Sequence, residues 1–178
     1  MAQGTQDPTQ DPNPDTLPWV SKEEAFEAFL KERYGKVVSA VRLIAREQAE
    51  DITQEAFARA YLNWAKLYPD GNPIGWVHRV ATNLALSLRT RAGREIRALQ
   101  RLQKRTVFES PAADVYPELY EAVDALPKRQ RAAVALYYVL DQSIEQCADA
   151  LDCREGTVKR LLFDARAALR DKLGEDYR

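Results

Sequence analysis

The sequence is short of everything from which a disulfide scaffold or a metal centre is built. Its 178 residues include two cysteines, Cys147 and Cys153, and one histidine, His78. Two thiols are too few for a disulfide framework, and with a single imidazole they cannot close a zinc site. Seven glycines and nine prolines leave little room for a β-rich fold, which needs many tight turns. No apolar run approaches the roughly 20 residues of a membrane helix. No basic start followed by an apolar stretch marks a secretory signal. A Gly-rich phosphate loop and a nucleophile–base motif are also missing. These absences point away from an enzyme: no catalytic residue, cofactor or metal is expected, no membrane contact, and a reducing, cytoplasmic setting.

What is present is charge, and it is segregated. Charged residues make up 30% of the chain for a net charge of only −1. Residues 89–105 carry seven basic groups (Arg89, Arg91, Arg94, Arg97, Arg101, Lys104, Arg105) against the single acid Glu95. Residues 108–127 then carry five acids and no base. A chain with an acidic average still binds a polyanion when its cations share one surface.

The first 17 residues, with a tandem Thr-Gln-Asp-Pro repeat and almost no apolar side chain, read as a disordered tail. From Ser21 the pattern turns helical, with Phe26, Phe29, Leu30, Tyr34, Val37, Val38, Val41 and Ile44 on one face. A second helix from about Ala49 to Lys66 buries Ile52, Ala56, Phe57, Ala60, Tyr61 and Trp64. Its other face carries Asp51, Gln54, Glu55 and Arg59. Turn formers at 68–73 make a loop. A third helix from near Ile74 buries Trp76, Val77, Val80, Ala81, Leu84 and Leu88. Residues 89–115 lose apolar periodicity and read as a linker to a second helical unit that begins near Tyr116. No stretch alternates with period two for long enough to suggest a strand. The fold class is all-α, two small helical domains joined by a flexible linker: 1–18 tail, 19–92 first domain, 93–115 linker, 116–174 second domain.

In the second domain Pro127 suits a first helical position, and Ala132 to Leu140 continue as an apolar helix. Ser143 and Gln146 read as a capping box opening a short helix with Ile144, Cys147, Ala148 and Leu151 buried. After Asp152-Cys153 a longer helix buries Val158, Leu161, Leu162, Ala165 and Leu169. Two helices across a tight turn, the second longer and basic, match a helix-turn-helix. Such modules set the N-terminal part of the second helix in the major groove. Thr157 and Lys159 there suit phosphates, Arg160 and Arg166 suit bases or phosphates, and Arg129 and Arg131 on the preceding helix suit a backbone clamp. His78 is expected at the surface, and Trp64 and Trp76 in the core.

Glu121-Ala-Val-Asp-Ala-Leu-Pro-Lys-Arg-Gln-Arg131 and Leu151-Asp-Cys-Arg-Glu-Gly-Thr-Val-Lys159 resemble the C-terminal domain of bacterial sigma factors of the extracytoplasmic-function (ECF) type, in the sigma-70 family. Ala49-Glu-Asp-Ile-Thr-Gln-Glu-Ala-Phe-Ala-Arg-Ala-Tyr61 is similar to the family's core-binding helix. Trp76-Val-His-Arg-Val-Ala-Thr-Asn-Leu-Ala85 is similar to its promoter-reading helix. The opening Phe26–Gly35 stretch resembles an actinobacterial SigE-like subgroup.

The resemblance implies core RNA polymerase as partner, through its β′ clamp helices and β flap, with Asp51, Gln54, Glu55 and Arg59 on the clamp. It implies promoter DNA as a second partner. Arg79, Asn83, Arg89 and Arg91 would lie on the −10 element, with the loop 67–75 helping to hold a flipped base. Arg129, Arg131, Thr157, Lys159, Arg160, Phe163 and Arg166 would lie on the −35 element. It also leaves room for an anti-sigma factor. The alternative is a stand-alone helix-turn-helix regulator.

The chain departs from the family at Ser87, at Arg154 in place of a capping serine, at Arg160-Leu161, and at Asp164 in place of an arginine. Asp152 is the expected substitute cap, and Asp164 would either repel phosphate or accept from a cytosine amino group. These departures bear on −35 preference rather than on the fold.

Overall fold

The computed structural model describes residues 21–68, 71–99 and 117–174, with the side chains of 88–99 outside the description. The expected tail and most of the expected linker therefore lie outside the described residues.

Every regular element among the described residues is helical, as the periodicity requires. Helix α1 spans Lys22–Ala45. Ser21 opens it with a capping box: its hydroxyl accepts from the Glu24 amide at 3.1 Å, and the Glu24 carboxylate accepts from the Ser21 amide at 2.9 Å. Those bonds hold the Glu24 carboxyl below its ordinary range. The expected single helix from Ala49 to Lys66 is interrupted at Asn63: α2 is Ala49–Leu62 and α3 is the single turn Trp64–Leu67, and Tyr61, expected in the core, is 37% exposed at the end of α2. Helix α4 runs Pro73–Leu99, well past the expected end near Leu88, so the first part of the basic run is helical. Asn72 starts it, its side-chain oxygen accepting from the Gly75 amide at 2.9 Å, with Pro73 in the first helical position. A Cβ on Gly75 would come within 2.5 Å of the Asn72 side chain, so the cap needs glycine there.

The second unit contains α5 (Pro117–Asp124), α6 (Lys128–Val134), α7 (Ile144–Leu151) and α8 (Glu155–Leu173). The apolar helix expected to Leu140 changes character after Val134, and Ala135–Val139 is a π-helical turn. There the Leu140 amide reaches back to the Ala135 carbonyl at 3.1 Å. Widening of this kind is the usual form a π segment takes inside a longer helix. The Ser143 capping box is formed at 2.9 and 3.1 Å. Asp152 does not cap α8. It ends α7 at φ 48°, and Arg154 precedes α8 without a side-chain cap.

In the first unit Phe26, Phe29, Phe57 and Trp64 form an aromatic cluster with centroids 5.1–6.2 Å apart. Tyr68 stacks on Trp64 at 5.0 Å. Val37, Val41, Ile44, Ile52, Ala56 and Val77 are fully buried beside it. This core does not stop at the unit boundary. Helices α1 and α4 pack against α6, the π turn and α7, and one apolar cluster runs from Val37 through Ala81 to Leu136, Cys147 and Val158. Ion pairs stitch the same seam, Lys36 to Asp141 at 2.5 Å and Arg46 to Asp124, while the buried His78 faces Gln142 across it with its Nδ1 unpartnered.

His78, expected at the surface, is therefore 4% exposed. It follows Val77 on the inner face of α4, and tertiary packing against the second unit covers it. Burial, with Arg33 and Lys36 nearby, pushes its pKa down from 6.5 to about 4, against a smaller opposing effect of Gln142. A lowered folded-state pKa means that between these values the unfolded chain takes up a proton that the folded chain refuses. Stability from this group is intact above pH 6.5 and falls as pH drops toward 4. Urea unfolding of the wild type should lose of order 3 kcal/mol more across that window than His78→Gln does. Parallel pH profiles for the two proteins would contradict the buried, neutral imidazole.

Candidate polymerase and nucleic-acid interfaces

Three polar faces stand out once the core is subtracted. On α2, Ile52, Thr53, Ala56, Phe57 and Ala60 are buried. The Thr53 hydroxyl is satisfied by the Ala49 carbonyl at 2.7 Å. Asp51, Gln54, Glu55 and Arg59 are consequently exposed together, as the sequence pattern requires. Glu55 and Arg59 are paired at 2.6 Å, one helical turn apart, so the unpaired acidity of this face rests mainly on Asp51.

On α4, Val77, His78, Ala81, Thr82 and Ala85 are buried. Arg79, Asn83 and Ser87 lie on the exposed stripe, each four residues from the next. Arg89 and Arg91 follow on the same helix, and their side chains lie outside the described residues. The loop before α4 presents Tyr68 beside Trp64, and the Trp64 indole N–H is buried without a hydrogen-bond partner.

On α8, Val158, Leu162 and Ala165 are buried. Thr157, Lys159, Arg160, Phe163 and Arg166 are exposed on the opposite side. Phe163 is 63% exposed, an aromatic ring presented to solvent in the middle of a charged face. No side chain caps the start of α8, where the Thr157 amide donates to the Arg154 carbonyl at 2.8 Å and Glu155 stands in the first turn. Lys159 lies 3.6 Å from Glu155. Arg160 donates Nε to both oxygens of Asp164, at 2.9 and 3.0 Å.

Two residues expected on the DNA side have other positions. Arg131 is 2% exposed, and its guanidinium donates to the Asp124 carboxylate at 2.5 Å and to the Asp124 carbonyl at 3.0 Å. It cannot clamp a phosphate from there. The cause is readable in retrospect: Arg131 sits one turn before Val134 and Ala135 on the buried stripe of its helix, and Asp124 offers the counter-charge. Arg129 remains exposed but gives Nη2 to the Leu151 carbonyl at 2.9 Å, tying α6 to the turn between α7 and α8. The Asp124 pairing, the His78–Gln142 contact and the Lys36–Asp141 bridge are the polar features that the sequence reading missed.

Cys147 is buried, which pushes its pKa up to about 11. Among the described residues no cluster of three or more metal-ligating side chains occurs, and no helix is long and apolar enough to cross a membrane.

The arrangement has counterparts among known proteins. The family model for sigma-70 region 2 matches residues 24–95, and the model for sigma-70 region 4 matches residues 116–169. Against the ECF RNA polymerase sigma factor SigW of Bacillus subtilis, identity is 30% over 145 residues, covering 71% of this chain and 75% of that protein. The chain belongs to the ECF family of RNA polymerase sigma factors. Another member, the ECF RNA polymerase sigma factor SigE of Mycolicibacterium smegmatis, is 35% identical over 138 residues, or 73% of this chain. The chain spans about half the length of that relative, 53%. The ECF fold is also that of the sigma factor RpoE from Bartonella quintana, solved in complex with the anti-sigma factor NepR. The TM-score is 0.73 at 22% identity, covering 85% of this chain and 98% of that one. In region 2 of this ECF factor lie the α2 and α4 faces, and in region 4 the α8 face.

Arg131→Ala should lower the unfolding free energy by about 2 kcal/mol, because it strips a buried charged pair of one partner while Arg46 still serves Asp124. Arg166→Ala, on the exposed face, should stay within about 0.5 kcal/mol of wild type. Thermal denaturation of both variants checks this, and equal melting temperatures would show that Arg131 is not the structural residue its burial makes it.

Proposed function

We propose that this ECF factor works as the promoter-specificity subunit of RNA polymerase. In this reading the exposed α2 face (Asp51, Gln54, Glu55, Arg59) docks on the β′ clamp helices, and region 4 also meets the β flap. The α4 stripe, Arg79 and Asn83 with Arg89 and Arg91 beyond, contacts the −10 element beside the loop before α4. The α8 face (Thr157, Lys159, Arg160, Phe163, Arg166) reads the −35 element, with Arg129 supporting the turn behind it. Arg131 is given a structural role instead. The proposed division is 19–92 for polymerase and −10 binding, 93–115 as linker and 116–174 for −35 binding, with residues 1–18 as a tail.

The observation that carries this reading is the coexistence of the three exposed faces on three separate helices whose apolar sides are fully used by the core. A stand-alone regulator needs the α8 face alone and gives no account of the acidic α2 face. The work proposed is binding and strand separation, with no bond chemistry. Extruding a base costs a few kcal/mol, which contacts from a loop and a neighbouring polar helix stripe can offset. The complex formed by the Bartonella relative supports an anti-sigma factor as a further partner. The same reading puts the protein in the cytoplasm, with the polymerase.

Reconstituted holoenzyme on a randomised promoter library should initiate specifically from a subset of sequences. Asp51→Lys with Glu55→Lys should weaken association with core polymerase at least about tenfold, through the introduced like-charge contacts. Co-purification undiminished by the double variant would remove the docking role from α2. Specific duplex binding without polymerase, and no specific initiation, would favour the stand-alone regulator.

A further inference from the structure

The recognition helix carries an acid, Asp164, on the side that the proposed function turns toward DNA. An unpartnered carboxylate there would face phosphates and lower affinity for every sequence alike. The geometry gives it something else to do. Both Asp164 oxygens accept from Arg160 Nε, at 2.9 and 3.0 Å, while the arginine side chain is 77% exposed and the aspartate only 35%. The anchored end of the pair is thus the shielded one, and the guanidinium is the part held out to solvent.

We infer that Asp164 is a positioning residue that presets Arg160 for the O6/N7 edge of one guanine in the −35 element. This inference rests on the promoter-reading function proposed above.

Three observations carry it. First, the bond uses only Nε–H, one of the five donors of a guanidinium, and leaves the four on Nη1 and Nη2 for a bidentate contact with a base. Second, the order of the pair is the less favourable one for helix stability. The acid precedes the base in Glu55–Arg59 and in Glu155–Lys159, the arrangement that suits the helix dipole, whereas in Arg160–Asp164 the base comes first. Helix stabilisation is therefore a weaker reason for an acid at 164 than it is for Glu55 or Glu155. Third, an exposed arginine has a large rotamer entropy to lose on binding, and a bond that orders it beforehand removes part of that cost from the complex. Asp164 acts through Arg160 and touches no base itself.

The experiment is −35 selection by the full chain in holoenzyme, from a promoter library randomised in that element, with wild type, Arg160→Ala, Asp164→Ala, Asp164→Asn and the double alanine variant. Wild type should select guanine at one position, and Arg160→Ala should lose that preference about 10- to 100-fold. Asp164→Ala should reduce selectivity at the same position by about three- to tenfold, leaving the other positions unchanged. Asp164→Asn, which keeps an oxygen for Nε, should recover part of it. The double variant should be no less selective than Arg160→Ala alone, the non-additivity expected of residues acting as one unit.

Loss of selectivity at a different position in Asp164→Ala would mean that the aspartate reads its own base, and would overturn the inference. So would a uniform rise in use of all sequences with no change in preference, the signature of simple phosphate repulsion. Circular dichroism melting of each variant separates these results from misfolding, since an exposed pair of this kind leaves the fold intact. Absence of specific initiation by wild-type holoenzyme would instead refute the promoter-reading function, and is distinguishable from both.

Discussion

Helix α4 packs against α1 and α2 on one side and against α6 and α7 on the other, and this double burial decides which of its residues can meet solvent. Val77, His78, Ala81, Thr82 and Ala85 are all covered, so the buried arc is wider than the stripe of an ordinary surface helix. Small side chains, Ala81, Thr82 and Ala85, permit the close approach from both sides. The exposed remainder is a narrow line through Arg79, Asn83 and Ser87. The exposed polar stripe of α4 in region 2 is what is left after two neighbours have taken their share of the helix.

The seam between regions 2 and 4 is held mainly by apolar burial. Lys36–Asp141 is an exposed bridge, of a kind worth about 0–1 kcal/mol. Arg46 and Asp141, which provide one partner each to the two cross-seam bridges, are non-glycine residues at φ 48° and 52°. Ion pairs of this kind align the two units without contributing much net stability. Leu136, Leu140, Cys147 and Ala148 lie in the same buried cluster as Val41, Ile44 and Ala81, and supply the attraction. Asp124 is the exception among the polar groups, because it serves Arg46 across the seam and the buried Arg131 within its own unit.

Features of the fold that depend on neighbours in sequence were legible there. The apolar stripes of α1 and α8, that of α2 except for the exposed Tyr61, the Ser143 capping box and the turn at 152–153 each follow from spacing within about one or two helical turns. So did the exposed faces of α2 and α8, which are complements of those stripes. The features that were not legible depend on groups distant in the chain. His78 is covered only because Gln142 and its neighbours arrive 64 residues later. Arg131 reads as a cation for phosphate until Asp124 and a second packed layer enclose it. Asp152 reads as a cap from its side chain alone, but the left-handed backbone it adopts to end α7 places that cap elsewhere. The extension of α4 to Leu99 was missed because apolar periodicity was the mark of a helix there, and residues 89–99 carry little of it.

The charge on the recognition helix shows why composition alone misjudges this surface. By sequence, Lys159, Arg160 and Arg166 make α8 look like a simple cationic footprint. In the structure Lys159 faces Glu155, and Arg160 is bound by Asp164, so two of the three cations carry their own counter-charge. Counterion release grows with the number of phosphates neutralised, and internally paired cations contribute less to it than free ones. The α8 face therefore gives up nonspecific affinity relative to a fully basic helix. What it keeps is geometric: a guanidinium held by Asp164 and an exposed Phe163 ring suited to a thymine methyl. A surface so arranged discriminates among base edges more than it attracts backbone. On the proposed function, that balance would suit a subunit whose hold on DNA is shared with a polymerase and a second reading site on α4.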